Sequence, residues 1–135
     1  MHPLRQLRES GAATAEQYLT LLADNVAFHS PIFAFAIEGK DAVAVVFATS
    51  TSVRHGRYIA EHRLDEHTTF LHWKGLIDGH EIESLEIIVD DQQGLIVDRT
   101  VAFRPLPAIE LFRNAMFPLL KNLVPSNIGE YPKGT

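Results

Sequence analysis

The stretch His80-Glu81-Ile82-Glu83-Ser84-Leu85-Glu86-Ile87-Ile88-Val89, the turn Asp90-Asp91-Gln92-Gln93-Gly94, and the return Leu95-Ile96-Val97-Asp98-Arg99-Thr100-Val101-Ala102-Phe103-Arg104-Pro105 decide the fold. Period-2 alternation puts Ile82, Ser84, Glu86 and Ile88 on one face of a first strand. It puts Leu95, Val97, Arg99, Val101 and Phe103 on one face of a second. Burial of one face fixes the register, and a register that aligns the two apolar rows brings Glu86 and Arg99 together on the same side of the sheet. A Glu and an Arg facing a core indicate either the charged floor of a small-molecule cavity or a buried structural ion pair.

On the N-terminal side, Tyr58 to Leu64 and Thr68 to Ile77 have the composition of two more strands, and Asp78-Gly79 is a strong hairpin signal before His80. Four strands therefore form an antiparallel meander. Before them, residues 3 to 9 predict a short helical turn closed by Ser10-Gly11. Thr14 and Gln17 have the spacing of a capping box, and Tyr18, Leu19, Leu21 and Leu22 supply the apolar face of a helix ended by Asp24-Asn25. Val26 to Ser30 predicts a strand that stops before Pro31, and Ile32 to Ile37 an extended apolar run. Gly39-Lys40-Asp41 opens a second helix, with Asp41 as N-cap and Ala42 to Ala48 too apolar to be exposed all round.

After Arg104-Pro105-Leu106-Pro107 the chain turns helical again, with Ile109, Phe112, Met116 and Leu120 near helical spacing and Pro118 placed to kink or restart the helix. The tail from Pro125 to Thr135 is expected to be loosely held. Helices followed by a curved antiparallel sheet make an α+β pattern. The expected architecture is a cone-shaped α+β barrel over a single domain, residues 1–135: N-terminal helices packed in a curved antiparallel sheet, with a C-terminal helix. The outward row Leu85, Ile87 and Val89 with Ile96 and Ala102 is more apolar than a solvated face requires, so a homodimer through the sheet is expected.

Composition narrows the function classes. The chain has 135 residues, 46% hydrophobic and 21% charged, with net charge -5 and no cysteine; its pI is near 5.7. There is no basic stripe with interleaved aromatics, so nucleic acid is not an expected partner. Without cysteine there is no disulfide scaffold, thiol nucleophile or thiolate metal site. Met1-His2-Pro3-Leu4-Arg5 lacks the apolar run of a signal peptide, and no segment reaches the roughly 18 apolar residues of a membrane span. A cytoplasmic protein with no membrane association is expected.

Several motifs together carry a family resemblance over roughly residues 2 to 120. They are Leu22-Ala23-Asp24-Asn25-Val26-Ala27-Phe28-His29-Ser30-Pro31, Glu38-Gly39-Lys40-Asp41-Ala42-Val43, Glu81-Ile82-Glu83-Ser84-Leu85-Glu86 and Val101-Ala102-Phe103-Arg104-Pro105-Leu106. This pattern resembles SnoaL-like members of the nuclear transport factor 2-like superfamily. The resemblance implies a cone-shaped cavity, and it is weak for activity, because the superfamily spans ketosteroid isomerases, polyketide cyclases, epoxide hydrolases, dehydratases and non-catalytic modules. The isomerases' general-base Asp falls at Ser30, and the helix that would carry their oxyanion-hole Tyr corresponds to residues 3 to 9, which contain none. Their second oxyanion-hole acid falls at Glu86. The last-strand Asp of the limonene-epoxide-hydrolase pattern would fall near Val101, and Arg99 departs from the apolar residue the SnoaL-like pattern has there.

The candidate catalytic residues are therefore Glu86, Arg99 and His29. Glu86 could act as acid or base, Arg99 could anchor a substrate carboxylate or enolate, or the two could form a structural pair in which Arg99 keeps Glu86 ionised. His29 adjoins the isomerase base position and has a suitable imidazole, although alternation turns it from the face of Ser30. The expected pocket lining is Ser30, Ile32, Trp73, Ser84, Val101 and Phe103, with Phe112, Met116 and Phe117 closing the mouth. His62, His67 and His72 alternate faces without a partnering carboxylate, so neither a metal nor another cofactor is expected. Asp65-Glu66 and Asp90-Asp91 suit solvated turns. Two functions compete: a binding protein for a small hydrophobic molecule with isomerase or cyclase chemistry on a carbonyl compound, or a non-catalytic binding or dimerisation module with a structural Glu86-Arg99 pair.

Overall fold

A computed structural model describes residues 1–122. The chain runs α1 (Pro3–Ser10), α2 (Ala15–Leu19), β1 (Leu22–His29), β2 (Ile37–Glu38), α3 (Lys40–Val53), β3 (His55–Arg63), β4 (Thr68–Ile77), β5 (His80–Asp90), β6 (Ile96–Arg104) and α4 (Leu106–Leu120). The strands form one curved, unclosed sheet in the order β2-β1-β6-β5-β4-β3. The meander from β3 to β6 is antiparallel as expected, but β1 joins it parallel to β6, so the sheet is mixed. The tail expected to be loose, Pro125 to Thr135, lies outside the described residues.

The hairpin between β5 and β6 sets the interior. Ser84 faces Phe103, Glu86 faces Val101 and Ile88 faces Arg99, so the inner rows align and Arg99 lies diagonally across from Glu86. Ile82, Ser84, Glu86 and Ile88 are all buried, and so are Arg99 and Val101. The alternation fails at the start of β6: Ile96 is buried while Leu95 and Val97 are only half-buried. The register shifts between Val89 and Asp90, and that bulge inverts which residue of β6 points inward. Ile96 therefore belongs to the core, not to the outer apolar row.

Two helix expectations are corrected. The capping box is present, with Thr14 Oγ1 accepting from the Gln17 backbone and the Gln17 side chain accepting from the Thr14 N–H. It starts a helix of only five residues. Leu22 to Asn25 is strand, because β1 pairs with β6 from Leu22 onward and the Leu21 carbonyl accepts from Ile96 N at 2.8 Å. In α3 the N-cap is Gly39 at φ +91°, a left-handed conformation suited to glycine, and Asp41 sits in the first turn instead. Helix α4 runs through Pro118 to Leu120.

Docking of α1 on the sheet depends on His2. Its Nδ1 accepts from Leu4 N as the cap of α1, while its Nε2 meets the Asp90 carboxylate at 3.0 Å and its backbone N–H donates to Glu61 at 2.9 Å. Asp90 is thus an anchor and not only a solvated turn residue. With this end fixed, Leu4 and Arg8, one helical turn apart, both point into the molecule. Helix α3 buries Val43, Ala44, Val46, Phe47, Ser50 and Thr51 in a helical-period stripe and delivers Arg54 immediately after its end.

Candidate functional site

Glu86 is fully buried and Arg99 is 1% exposed. Arg99 Nε donates to Glu86 Oε1 at 3.0 Å, and its Nη2 donates to the same oxygen. Tyr58 Oη donates to Glu86 Oε1 at 3.2 Å from β3, and Ser84 Oγ donates to Oε2 at 3.1 Å. The Arg99 guanidinium also lies over Phe47 at 4.6 Å and Phe28 at 5.1 Å, so its charge is shielded by rings where it is not paired. Three strands and the core helix thus converge on one carboxylate.

The electrostatics follow from this packing. Burial alone would raise the Glu86 pKa, but the charges of Arg99, Arg8 and Arg54 outweigh it and hold the carboxyl down at about 2. Tyr58 is pushed up by burial and by the Glu86 charge, so it serves as a neutral donor. Glu86 is therefore a carboxylate at neutral pH, fixed by donors on both oxygens.

Two further buried guanidiniums surround this carboxylate, and neither stood out in the sequence. Arg8, 6% exposed, approaches Tyr58, and Arg54, 3% exposed, donates from Nε to Ser50 Oγ at 3.0 Å. Arg54 stacks on Trp73 at 4.4 Å and on Phe103 at 4.8 Å. Burial, and next the Arg8 charge, lower its pKa well below an arginine's usual range. A signal for Arg8 did exist: it lies four residues after Leu4, on the apolar side of α1. Arg54 had none, since it follows the helical stripe and precedes the strand alternation.

The expected cavity is mostly filled. A space of about 10 Å³ is enclosed by Phe28, Phe33, Phe47, Phe112 and Met116 together with Ser30, Ile32, Arg54, Arg99 and Phe103, room for about one water. Of the expected lining, Ser30, Ile32 and Phe103 border this space, while Ser84 and Val101 sit beside Glu86 away from it. Trp73 instead borders a second cavity, between α1 and β3. Phe33 stacks on Phe117 at 6.1 Å, which closes the end of the cone under α4. His29 is not brought to this group: it is exposed on the outer face, with Nε2 at 2.9 Å from Asp98, as its place after inward-facing Phe28 requires. His72 likewise bonds Glu83 on the outer face, at 2.7 Å. Among the described residues no three His, Asp or Glu side chains gather as metal ligands, and no helix is long and apolar enough to cross a membrane.

This arrangement of helices in a curved sheet recurs in solved structures. A protein of cystatin-like fold from Silicibacter pomeroyi superposes with a TM-score of 0.81 at 24% identity, over 89% of this chain and 86% of that one. A steroid delta-isomerase from Pseudomonas aeruginosa gives 0.77 at 21% identity over 84% of each chain. A SnoaL-like protein from Burkholderia thailandensis gives 0.61 at 16% identity, over 78% of this chain and 98% of that one. The chain has the SnoaL-like, nuclear transport factor 2-like fold. No protein-family model and no curated protein matches the sequence, so the likeness is one of architecture. Within this fold, the chain closes the cone with aromatic side chains and places a fixed carboxylate among three guanidiniums.

Replacing Glu86 by Gln is expected to cost about 3 to 5 kcal/mol of stability, because it strands buried positive charge. Arg99→Met should cost less, since Glu86 would still face Arg8 and Arg54. Because folding lowers the Glu86 pKa from its ordinary 4.5 to about 2, its contribution is fully present above about pH 4.5 and lost as pH falls toward 2. Urea unfolding of the three proteins checks both points. Equal costs, or a wild-type advantage over Glu86→Gln that persists unchanged at pH 2, would contradict this electrostatic picture.

Proposed function

We propose that this chain is a non-catalytic binding module for a small, mainly apolar molecule taken into the cone from the end covered by α4. The observation that carries this reading is the state of Glu86. It is ionised, it accepts from donors on both oxygens, and it is absent from the wall of the residual cavity. A general acid needs a proton to give, and a general base needs a free lone pair within reach of the substrate. Glu86 offers neither, Ser30 is no base at neutral pH, and His29 faces outward.

The binding half of the proposal rests on the residues around the small space. Phe28, Phe33, Phe103 and Phe112 supply apolar surface, and Arg54, Arg99 and Ser30 supply a few polar groups, the mixture usual for small-molecule sites. Entry would part the Phe33 and Phe117 rings, so a ligand would select a more open arrangement of α4. The superposing steroid delta-isomerase belongs to the competing, enzymatic reading. That reading would require Glu86 to be released from Arg99.

A second copy of the chain is the proposed partner. On the outer face of β5, Leu85 and Ile87 are 46% and 44% exposed, and their cross-strand neighbours include Phe70 and Ala102. This apolar row suits a homodimer through the sheet.

Trp73, the single tryptophan, borders the cavity between α1 and β3 and reports on the cone only through Arg54, on which it stacks and which lines both spaces. Small phenols and ketones should change its fluorescence saturably, while deuterium exchange beside the carbonyl of an added ketone stays at the buffer rate. Exchange faster than buffer that disappears in Glu86→Gln would overturn the non-catalytic reading. For the dimer, sedimentation should give two chains for wild type and one for Ile87→Lys; a monomeric wild type would contradict the interface.

A further inference from the structure

Three guanidiniums and one carboxylate share the interior of this small domain. Arg8, Arg54 and Arg99 are each more than nine-tenths buried, and Glu86 is the single buried acid among the described residues. Glu86 is committed to Arg99. Arg8 Nε and Nη1 and Arg54 Nη1 have no hydrogen-bond partner among the described residues. Buried charges without partners are costly and are ordinarily matched by a counter-charge or by hydrogen bonds.

Arg8 and Arg54, the residues that carry these nitrogens, both line one cavity. It measures about 90 Å³ and lies between the end of α1, the end of α3 and the start of β3, with Arg8, Thr51, Arg54, Gly56 and Trp73 in its wall. At about 10 to 15 Å³ for one water, this holds a carboxylate group with a short side chain. Gly56 keeps the wall flat: a Cβ there would meet the Lys74 carbonyl at 2.2 Å and the Trp73 ring at 2.7 Å. Trp73 then offers an apolar slab beside the charged end. Among the described residues the acid at the rim, Glu9, does not fill the position, because it is drawn away to Arg5 at 2.5 Å. Thr51 Oγ1 is already engaged with Tyr18 Oη at 2.7 Å.

We propose that this cavity is a binding site for a small monocarboxylate, whose oxygens accept from Arg8 and Arg54 while its short apolar group lies against Trp73. A planar guanidinium matches a carboxylate better than it matches a spherical anion, and the contact is strong where water is excluded. The site is separate from the cone's α4 end and does not depend on the binding role proposed there. It does meet that end through Arg54, which borders both spaces.

Acetate and propionate, titrated into the wild-type protein against sodium chloride at equal ionic strength, test this directly. The carboxylates are expected to raise Tm saturably and to shift the Nε–Hε NMR signals of Arg8 and Arg54, leaving that of Arg99 in place. Propionamide, the same shape without charge, should do neither. Arg8→Met and Arg54→Met should each weaken the response at least tenfold, and both should fold, since each removes an unmatched buried charge. Arg8→Lys and Arg54→Lys, which keep the charge but lose the fork, should also weaken it. An equal effect from chloride, a response to phosphate in place of carboxylates, unmoved Arg8 and Arg54 signals in wild type, or undiminished binding in the variants would each overturn the proposal.

Discussion

The Glu86 carboxylate is the constraint on which the rest of this interior depends. It ties β5 to β6 through Arg99 and to β3 through Tyr58, and its charge is what makes burial of the guanidiniums tolerable. The balance is a competition between large terms. Desolvation penalises every one of these ions, and their mutual attraction repays it only where geometry and hydrogen bonds are complete. That condition is met around Glu86 and Arg99. Among the described residues it is not met around Arg8 and Arg54.

The same balance accounts for the shape of the cone. In a fold that can enclose an open cavity, this chain fills the space near Arg99 with Phe28 and Phe47, rings that shield the guanidinium at 5.1 and 4.6 Å. Tyr18 and Phe28 then meet Phe47 edge-on, at 5.6 and 5.0 Å. Filling the centre leaves free space at its margins, under α4 on one side and between α1 and β3 on the other. Arg54 lies at both margins, so the two spaces share a wall and a charge.

The sequence made the inner face of the sheet readable because strand alternation is strict wherever pairing is regular. The placement of Ile82, Ser84, Glu86, Ile88, Arg99 and Val101 follows from that alone. Alternation misled only at Leu95 to Val97, where a bulge invisible in composition shifts the register. Local helix signals were right where they act on neighbouring residues, as in the stop at Ser10-Gly11, and wrong by two residues at the α3 cap, which is Gly39 and not Asp41. The Thr14 capping box does begin α2, but long-range pairing of Leu22 with β6 cuts that helix short. Arg8 and Arg54 escaped notice for a different reason. An arginine is exposed by default, and its burial is decided by tertiary docking: α1 is held by His2 on Asp90, and Arg54 by its stack on Trp73.

The fixed ion pair stands or falls on the charge state of Glu86 in the folded protein. A carboxyl-carbon NMR titration of the native protein would follow it as pH is lowered. With the carboxylate held by Arg99, Arg8 and Arg54, the Glu86 signal should stay that of a carboxylate far below the usual range, with a midpoint near 2. A midpoint at or above the ordinary value of 4.5 would mean that Glu86 is available to carry a proton. The fixed ion pair, and the non-catalytic reading built on it, would then be wrong.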